Sequence, residues 1–171
     1  LDGEAVSAGV YIDILAQARD YVYIFTPYLI IDDVMQAALC AAAKRGVDVR
    51  IVTPGVPDKK VVYRLTRSYY APLLRAGVRI YEYTPGFIHA KSYLSDDTTG
   101  VVGTISMDYR SLYLHFECAA MMYQVKEVEK IEEDFQDTLK QCREITLETL
   151  KKEKFWTKIY GRFLRLFAPL M

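Results

Sequence analysis

Tyr21-Val22-Tyr23-Ile24-Phe25, closed by Thr26-Pro27, leads into a helical stretch from Asp32 to Lys44-Arg45-Gly46 and then into Val47-Asp48-Val49-Arg50-Ile51-Val52-Thr53, and this stretch decides the fold class. The first run is β-branched and aromatic with no polar side, as in a strand covered on both faces. Asp32 is placed to cap the helix and Lys44-Arg45-Gly46 to end it. The second run alternates and stops at Pro54-Gly55. Strand, helix, strand in this order calls for parallel strands joined by a right-handed crossover.

Outward from there, Val6, Val10, Ile14 and Ala18 recur at four-residue spacing beside Tyr11 and Leu15, which predicts a helix within Glu4 to Asp20. Asp58 can cap a helix with Val61, Val62, Leu65, Tyr69, Leu73 and Ala76 on its inner face, ending at Gly77, with Pro72 kinking or restarting it. Beyond Gly77, Val78 to Tyr83, His89 to Ser95, Gly100 to Thr104 and His115 to Tyr123 read as strands, with a tight turn over residues 96–100. These add antiparallel neighbours. Val125, Val128, Ile131, Phe135, Leu139, Cys142 and Ile145 then step by three or four, which predicts a long helix over one face of the sheet. The expected class is α/β: a mixed, largely parallel β-sheet flanked by helices on both faces. One domain spans residues 1–150, and residues 151–171 form a basic amphipathic tail.

With 171 residues, 51% of them apolar, the chain can bury one sizeable core without disulfides or metals. The 22 basic and 22 acidic residues cancel, which disfavours nucleic acid as a partner. Cys40, Cys118 and Cys142 are far apart and sit in apolar patterns, as small core residues in a reducing compartment do. The longest apolar run, Tyr21 to Ile31, is interrupted by Thr26-Pro27 and falls short of the ~20 residues that span a bilayer. The chain begins Leu1-Asp2-Gly3, without an initiator methionine or signal segment, and reads as a piece of something longer.

The most informative motif is His89-Ala90-Lys91, followed by four residues and Asp96, then six more and Gly103-Thr104. Alternation along a strand puts His89, Lys91 and Tyr93 on one face, where an imidazole and an ammonium can converge on a phosphate. An imidazole can attack phosphorus or shuttle a proton, and the lysine offsets charge on phosphoryl oxygens. Gly103-Thr104 lets backbone and a hydroxyl approach the same ligand, while Asp96 can cap backbone amides or anchor a partner. Taken singly, each is more simply a strand histidine, a solvated lysine or a turn aspartate. The joint spacing is what favours chemistry.

His-x-Lys-x4-Asp-x6-Gly-Thr resembles the signature of the phospholipase D superfamily. Thr26-Pro27-Tyr28, residues 42–50, Arg67-Ser68-Tyr69-Tyr70, Gly86 to Lys91 and Asp108-Tyr109-Arg110-Ser111 through Phe116-Glu117 are similar to bacterial cardiolipin synthases over nearly the whole chain, more weakly after about Leu139. The resemblance implies a phospholipase D-like α-β-α sandwich. It further implies phosphatidyl transfer between two phosphatidylglycerol molecules, giving cardiolipin and glycerol through a phosphohistidine intermediate, with no metal and no cofactor. A complete site in that family uses two such motifs, and this chain has one, since His115 is followed by Phe116 and Glu117 with no lysine two positions on. By resemblance the missing amino-terminal half supplies the nucleophile and His89 is the general acid and base. Glu117 would then accept from the far imidazole nitrogen and fix its tautomer. Arg110 would pair with a headgroup phosphate or, preferably, with a neighbouring carboxylate. Ser106 stands where the family usually carries asparagine, with a shorter polar reach.

The site expected is therefore His89, Lys91 and Asp96 as catalytic residues, with Gly103, Thr104, Ser106, Glu117 and Arg110 binding phosphate or supporting it. The partners implied are phospholipid, the missing half and a membrane surface, with a parent enzyme at the cytoplasmic side of the bacterial membrane and a soluble fragment. A phosphodiesterase or nuclease completed by homodimerisation, and a non-catalytic module when isolated, remain the alternatives. The tail carries Lys151, Lys152, Lys154, Lys158, Arg162 and Arg165 against Glu153, interleaved with Phe155, Trp156, Ile159, Tyr160, Phe163, Leu164, Leu166 and Phe167. Such a segment lies at an anionic membrane or packs on the domain.

Overall fold

The computed structural model describes residues 4–152, 160, 161 and 163–166. The chain forms the expected mixed sheet with helices on both faces. β1 (Tyr21–Phe25), β3 (Asp48–Pro54) and β4 (Arg79–Tyr83) are parallel, and β5 (Ser92–Ser95), β6 (Thr99–Gly103) and β8 (Ala119–Tyr123) extend one edge antiparallel. The strand order is β8-β6-β5-β1-β3-β4-β9, with β9 (Cys142–Ile145) antiparallel to β4. A separate pair, β2 (Leu29–Ile30) with β7 (Met107–Asp108), is parallel.

Two cores hold the helices to the sheet. On one face α1 (Val6–Gln17), α2 (Asp33–Lys44), α3 (Lys60–Ser68) and α4 (Tyr70–Ala76) bury Leu15, Leu39, Leu65 and Leu73 against Ile24, Ile51 and Ile80. On the other, α6 (Glu127–Leu139) seats Val128 and Phe135 on Tyr23, Phe25 and Leu94, with the Phe135 ring stacked 4.7 Å from Tyr23. Asp32 caps α2 as expected, accepting from the Met35 N–H at 2.8 Å. The inner face of α1 is rotated from the expected stripe: Ala8, Tyr11, Ile14 and Leu15 are buried and Val6 is 59% exposed.

Several expectations need correction. Asp58 does not cap α3. Its carboxylate accepts from the Tyr28 hydroxyl at 2.7 Å instead, and Lys59 occupies the cap position without a side-chain bond. The 58–76 segment does restart as expected at Pro72, as two helices that meet at Tyr69, because Pro72 in the first turn of α4 cannot share a continuous helix with the carbonyl four residues back. The long carboxy-terminal helix stops at Leu139. Residues Cys142–Ile145 are an edge strand, since pairing with β4 buries Ile145 and brings Arg143 to Glu82, a tertiary gain that helical periodicity does not register. His89 to Lys91 and His115 to Cys118 precede strands rather than belonging to them, and α5 (Tyr109–Tyr113) was not anticipated. None of the cysteines is a fully buried core residue: Cys40 and Cys142 are half-buried and Cys118 is exposed, all with free thiols. Most of the tail lies outside the described residues, including Glu153, Lys154, Phe155, Trp156, Lys158, Ile159, Arg162 and Phe167.

Candidate active site

Register places the site at one end of the sheet. Ser92 pairs with Phe25, the last residue of β1, so His89 to Lys91 run past the carboxyl end of that strand. The Lys91 carbonyl accepts from the Gly103 N–H at 3.2 Å, which ties this lead-in to the end of β6. Buried Thr26 organises the floor: its hydroxyl donates to the Tyr28 carbonyl at 2.6 Å and accepts the Met107 N–H at 2.9 Å. The segment Ile105 to Asp108 is fixed there, with the Tyr11 hydroxyl donating to the Ile105 carbonyl.

His89 and Lys91 converge as expected, although from extended backbone ahead of the strand rather than within it. The Lys91 ammonium lies 3.2 Å from His89 Nδ1 and 3.1 Å from Nε2, and donates to the His89 carbonyl at 2.9 Å. His89 is exposed and Lys91 half-buried. Burial lowers the Lys91 pKa, while the carboxylates of Glu117 and Asp108 pull it back up. Phe87 flanks the imidazole, ring centroids 5.7 Å apart, and Tyr28 stands 6.4 Å beyond Phe87. An open imidazole beside a partly desolvated cation can move a proton and hold a phosphoryl oxygen at the same place.

The other expected residues divide. Asp96 does not join His89 and Lys91. Its carboxylate accepts the N–H groups of Arg19 (2.8 Å), Asp20 (3.0 Å) and Tyr21 (2.9 Å), at the opposite end of β1, from a turn in which Asp96 and Asp97 have φ of 52° and 54°. The amide-capping reading of the sequence is thus the one the geometry carries. Replacing Asp96 by alanine leaves those amides without their acceptor and is expected to cost about 1–3 kcal/mol; an unchanged urea midpoint would show that the carboxylate anchors nothing.

Gly103 is required by β8 rather than by a ligand, since a Cβ there would meet the Cys118 carbonyl oxygen at 2.3 Å and the Ala119 Cα at 2.5 Å. The Thr104 hydroxyl donates to the Glu117 carboxylate and accepts the Cys118 N–H at 3.0 Å. Glu117 therefore takes its hydrogen bond from Thr104 and not from His89, because residues 104 and 117 face one another where β6 and β8 begin to pair. It still acts on Lys91 through its charge. Ser106 is buried, and Tyr93 is buried and stacked on Tyr11 at 4.4 Å. Arg110 is exposed on α5 and forms no ion pair among the described residues, so the neighbouring-carboxylate pairing is not made.

Two residues named within the family-like runs turn out to shape the site. Thr26 reads as the end of a strand and as part of the family-like Thr26-Pro27-Tyr28 run, neither of which foretells its two hydrogen bonds, to the Tyr28 carbonyl and from the Met107 N–H. Asp108, buried as the cap of α5 on the Ser111 N–H and hydroxyl, places a carboxylate near Lys91. A cavity of about 480 Å³ lies elsewhere, at the Asp96 end of the sheet, among Gln17, Arg19, Asp96 and Tyr123.

A sheet of this order with an exposed histidine–lysine pair beyond its central strand defines a phospholipase D-type domain. The fold matches the crystal structure of Nuc from Salmonella typhimurium, a phospholipase D family member, at a TM-score of 0.71 and 21% identity, over 81% of this chain and 90% of that one. Residues 11–139 match the family model described as the cardiolipin synthase PLD-like domain, and the chain belongs to that family. It is 59% identical over its full length to an uncharacterized protein of Streptococcus mutans, and 40% identical over 162 residues, 95% of its length, to cardiolipin synthase 2 of Bacillus anthracis. It spans 37% and 32% of those two proteins, about a third of their length. No helix among the described residues is long and apolar enough to cross a membrane.

Proposed function

We propose that the chain supplies one half-site of a cardiolipin synthase, which transfers a phosphatidyl group from one phosphatidylglycerol to the terminal hydroxyl of a second and releases glycerol. The observation that carries this reading is the open His89 imidazole with the Lys91 ammonium beside both ring nitrogens, in a chain of the cardiolipin synthase PLD-like family. The nucleophilic histidine, which forms the phosphohistidine, comes from a second motif in the rest of the parent. His89 protonates the departing glycerol oxygen and then takes the proton of the incoming hydroxyl. Lys91 holds a non-bridging phosphoryl oxygen.

The shape of the chain supports a missing partner half. β8 is an edge strand whose Met121 and Tyr123 are 58% and 61% exposed, and Leu114 and Phe116, leading into it, are 55% and 90% exposed. Unpaired edge and apolar surface together favour association, and the other half of the parent packs there. Incubating the full-length parent with phosphatidylglycerol should yield cardiolipin and free glycerol in equal amounts by mass spectrometry. Release of phosphatidic acid in place of cardiolipin would instead make it a hydrolase.

A further inference from the structure

The chain is neutral, but its charge is segregated. From Lys59 to Gly77 there are five basic residues and no acid: Lys59, Lys60, Arg64, Arg67 and Arg75. Lys59 stands at the cap of α3 and the others lie on α3 and α4, on one face of the sheet. α6, on the opposite face, carries Glu127, Glu129, Glu132, Glu133, Asp134 and Asp137 against Lys130, with Lys126 and Lys140 at its caps. A molecule polarised in this way takes a preferred orientation at a charged surface even with zero net charge.

The basic side borders the active site. Lys59, Lys60 and Arg64 are exposed, whereas Arg67 is engaged by Glu82. Among them stand exposed apolar side chains, Val56 at 48%, Val61 at 40% and Phe87 at 36%. Phe87 joins the two regions: it flanks His89 and, with Tyr28, Val62 and Tyr63, lines a narrow cleft against α3. Asp58, the acid nearest in sequence, accepts from the Tyr28 hydroxyl. The described end of the tail continues this surface, since the Arg64 guanidinium lies 5.7 Å over the Tyr160 ring while Leu164 is buried and Arg165 stacks 4.0 Å over Tyr69. These described residues of the tail therefore pack on the domain, with Tyr160 40% exposed.

We propose that Val56, Lys59, Lys60, Val61, Arg64 and Phe87 form a docking face for an anionic lipid bilayer. The cations contact headgroup phosphates, the apolar side chains enter the headgroup boundary, and His89 is held at the level where a lipid phosphodiester lies. The acidic α6 faces away from the membrane. The inference rests on the phospholipid reading of the site, but its test needs no turnover.

The test is flotation of the 171-residue chain with vesicles of phosphatidylcholine alone and of phosphatidylcholine with phosphatidylglycerol in equal parts. Binding is expected only to the second, and added salt should weaken it. Lys59→Glu combined with Lys60→Glu should lower partitioning about tenfold or more, and Phe87→Ser should lower it several-fold without a change of charge. Lys126→Glu combined with Lys130→Glu makes the same charge change on the acidic side and should alter partitioning by less than about twofold. Equal loss in both double variants, or no binding by the unaltered chain, overturns the docking face. If the face fails while the parent still makes cardiolipin, the enzymatic reading stands. If the vesicles bind as expected and the parent makes none, the enzymatic reading falls alone.

Discussion

Substituting alanine for His89 in the full-length parent should reduce cardiolipin formation from phosphatidylglycerol by about 100- to 10,000-fold, the usual contribution of a positioned general acid and base. The size of the loss follows from what His89 does and from what it does not do. The ring is exposed and packs in neither core, so its removal should leave stability within about 0.5 kcal/mol. Activity lost at constant melting temperature is then chemical. His89→Gln keeps polarity and approximate size but cannot carry a proton between two alcohols, and it should fall nearly as far. The assignment of acid and base rather than nucleophile is separable. With radiolabelled phosphatidylglycerol, the His89→Ala protein should still accumulate a covalent phosphatidyl-enzyme at the partner histidine, though slowly. If cardiolipin forms at the unaltered rate, His89 has no part in the reaction.

How far the sequence anticipates this molecule depends on which interactions are local. β1 and β3 were legible because an unbroken apolar run and an alternating run, each ended by a proline, leave little choice of structure. The Asp32 cap was legible for the same reason, its partner being only three residues away. The convergence of His89 and Lys91 was readable from a two-residue spacing, which survives whether the backbone is in a ladder or merely extended. What was not legible depends on residues far apart in sequence. Asp96 reads as catalytic from its motif, yet its carboxylate is spent on amides 75 to 77 positions away. Glu117 turns to Thr104 because β6 and β8 pair, a fact outside the motif. The strand Cys142–Ile145 continues a helical apolar spacing, and only the bare edge of β4 decides against it.

The second large effect concerns Glu82, a carboxylate between two tyrosines of β4 that nothing in the local pattern distinguishes. It is fully buried, and five side chains from four other elements close around it. Its Oε1 accepts from the Arg67 guanidinium, the Tyr63 hydroxyl at 3.2 Å and the Tyr70 hydroxyl at 3.4 Å, and its Oε2 accepts from Arg143 at 2.7 Å. Thr53 completes the group, 2.7 Å from the Tyr70 oxygen. Burial, followed by the Glu82 charge, pushes the Tyr70 phenol well above its usual range, so it stays neutral and serves as a hydrogen-bond donor. Glu82→Ala would remove the buried carboxylate that pairs with Arg67, itself only 17% exposed, and removing one partner of such a pair costs about 3–5 kcal/mol. For a chain of this length the melting temperature should fall by about 10 °C or more. Arg143→Ala is the internal control, because its side chain is 60% exposed, and the loss should stay within about 1 kcal/mol. Glu82 also stands two residues ahead of the loop that carries Phe87 and His89, so a folded Glu82→Gln protein should lose activity beyond its loss of stability, as the loop base loosens. Equal melting temperatures for Glu82→Ala and Arg143→Ala would mean that the buried carboxylate is not what ties β4 to α3.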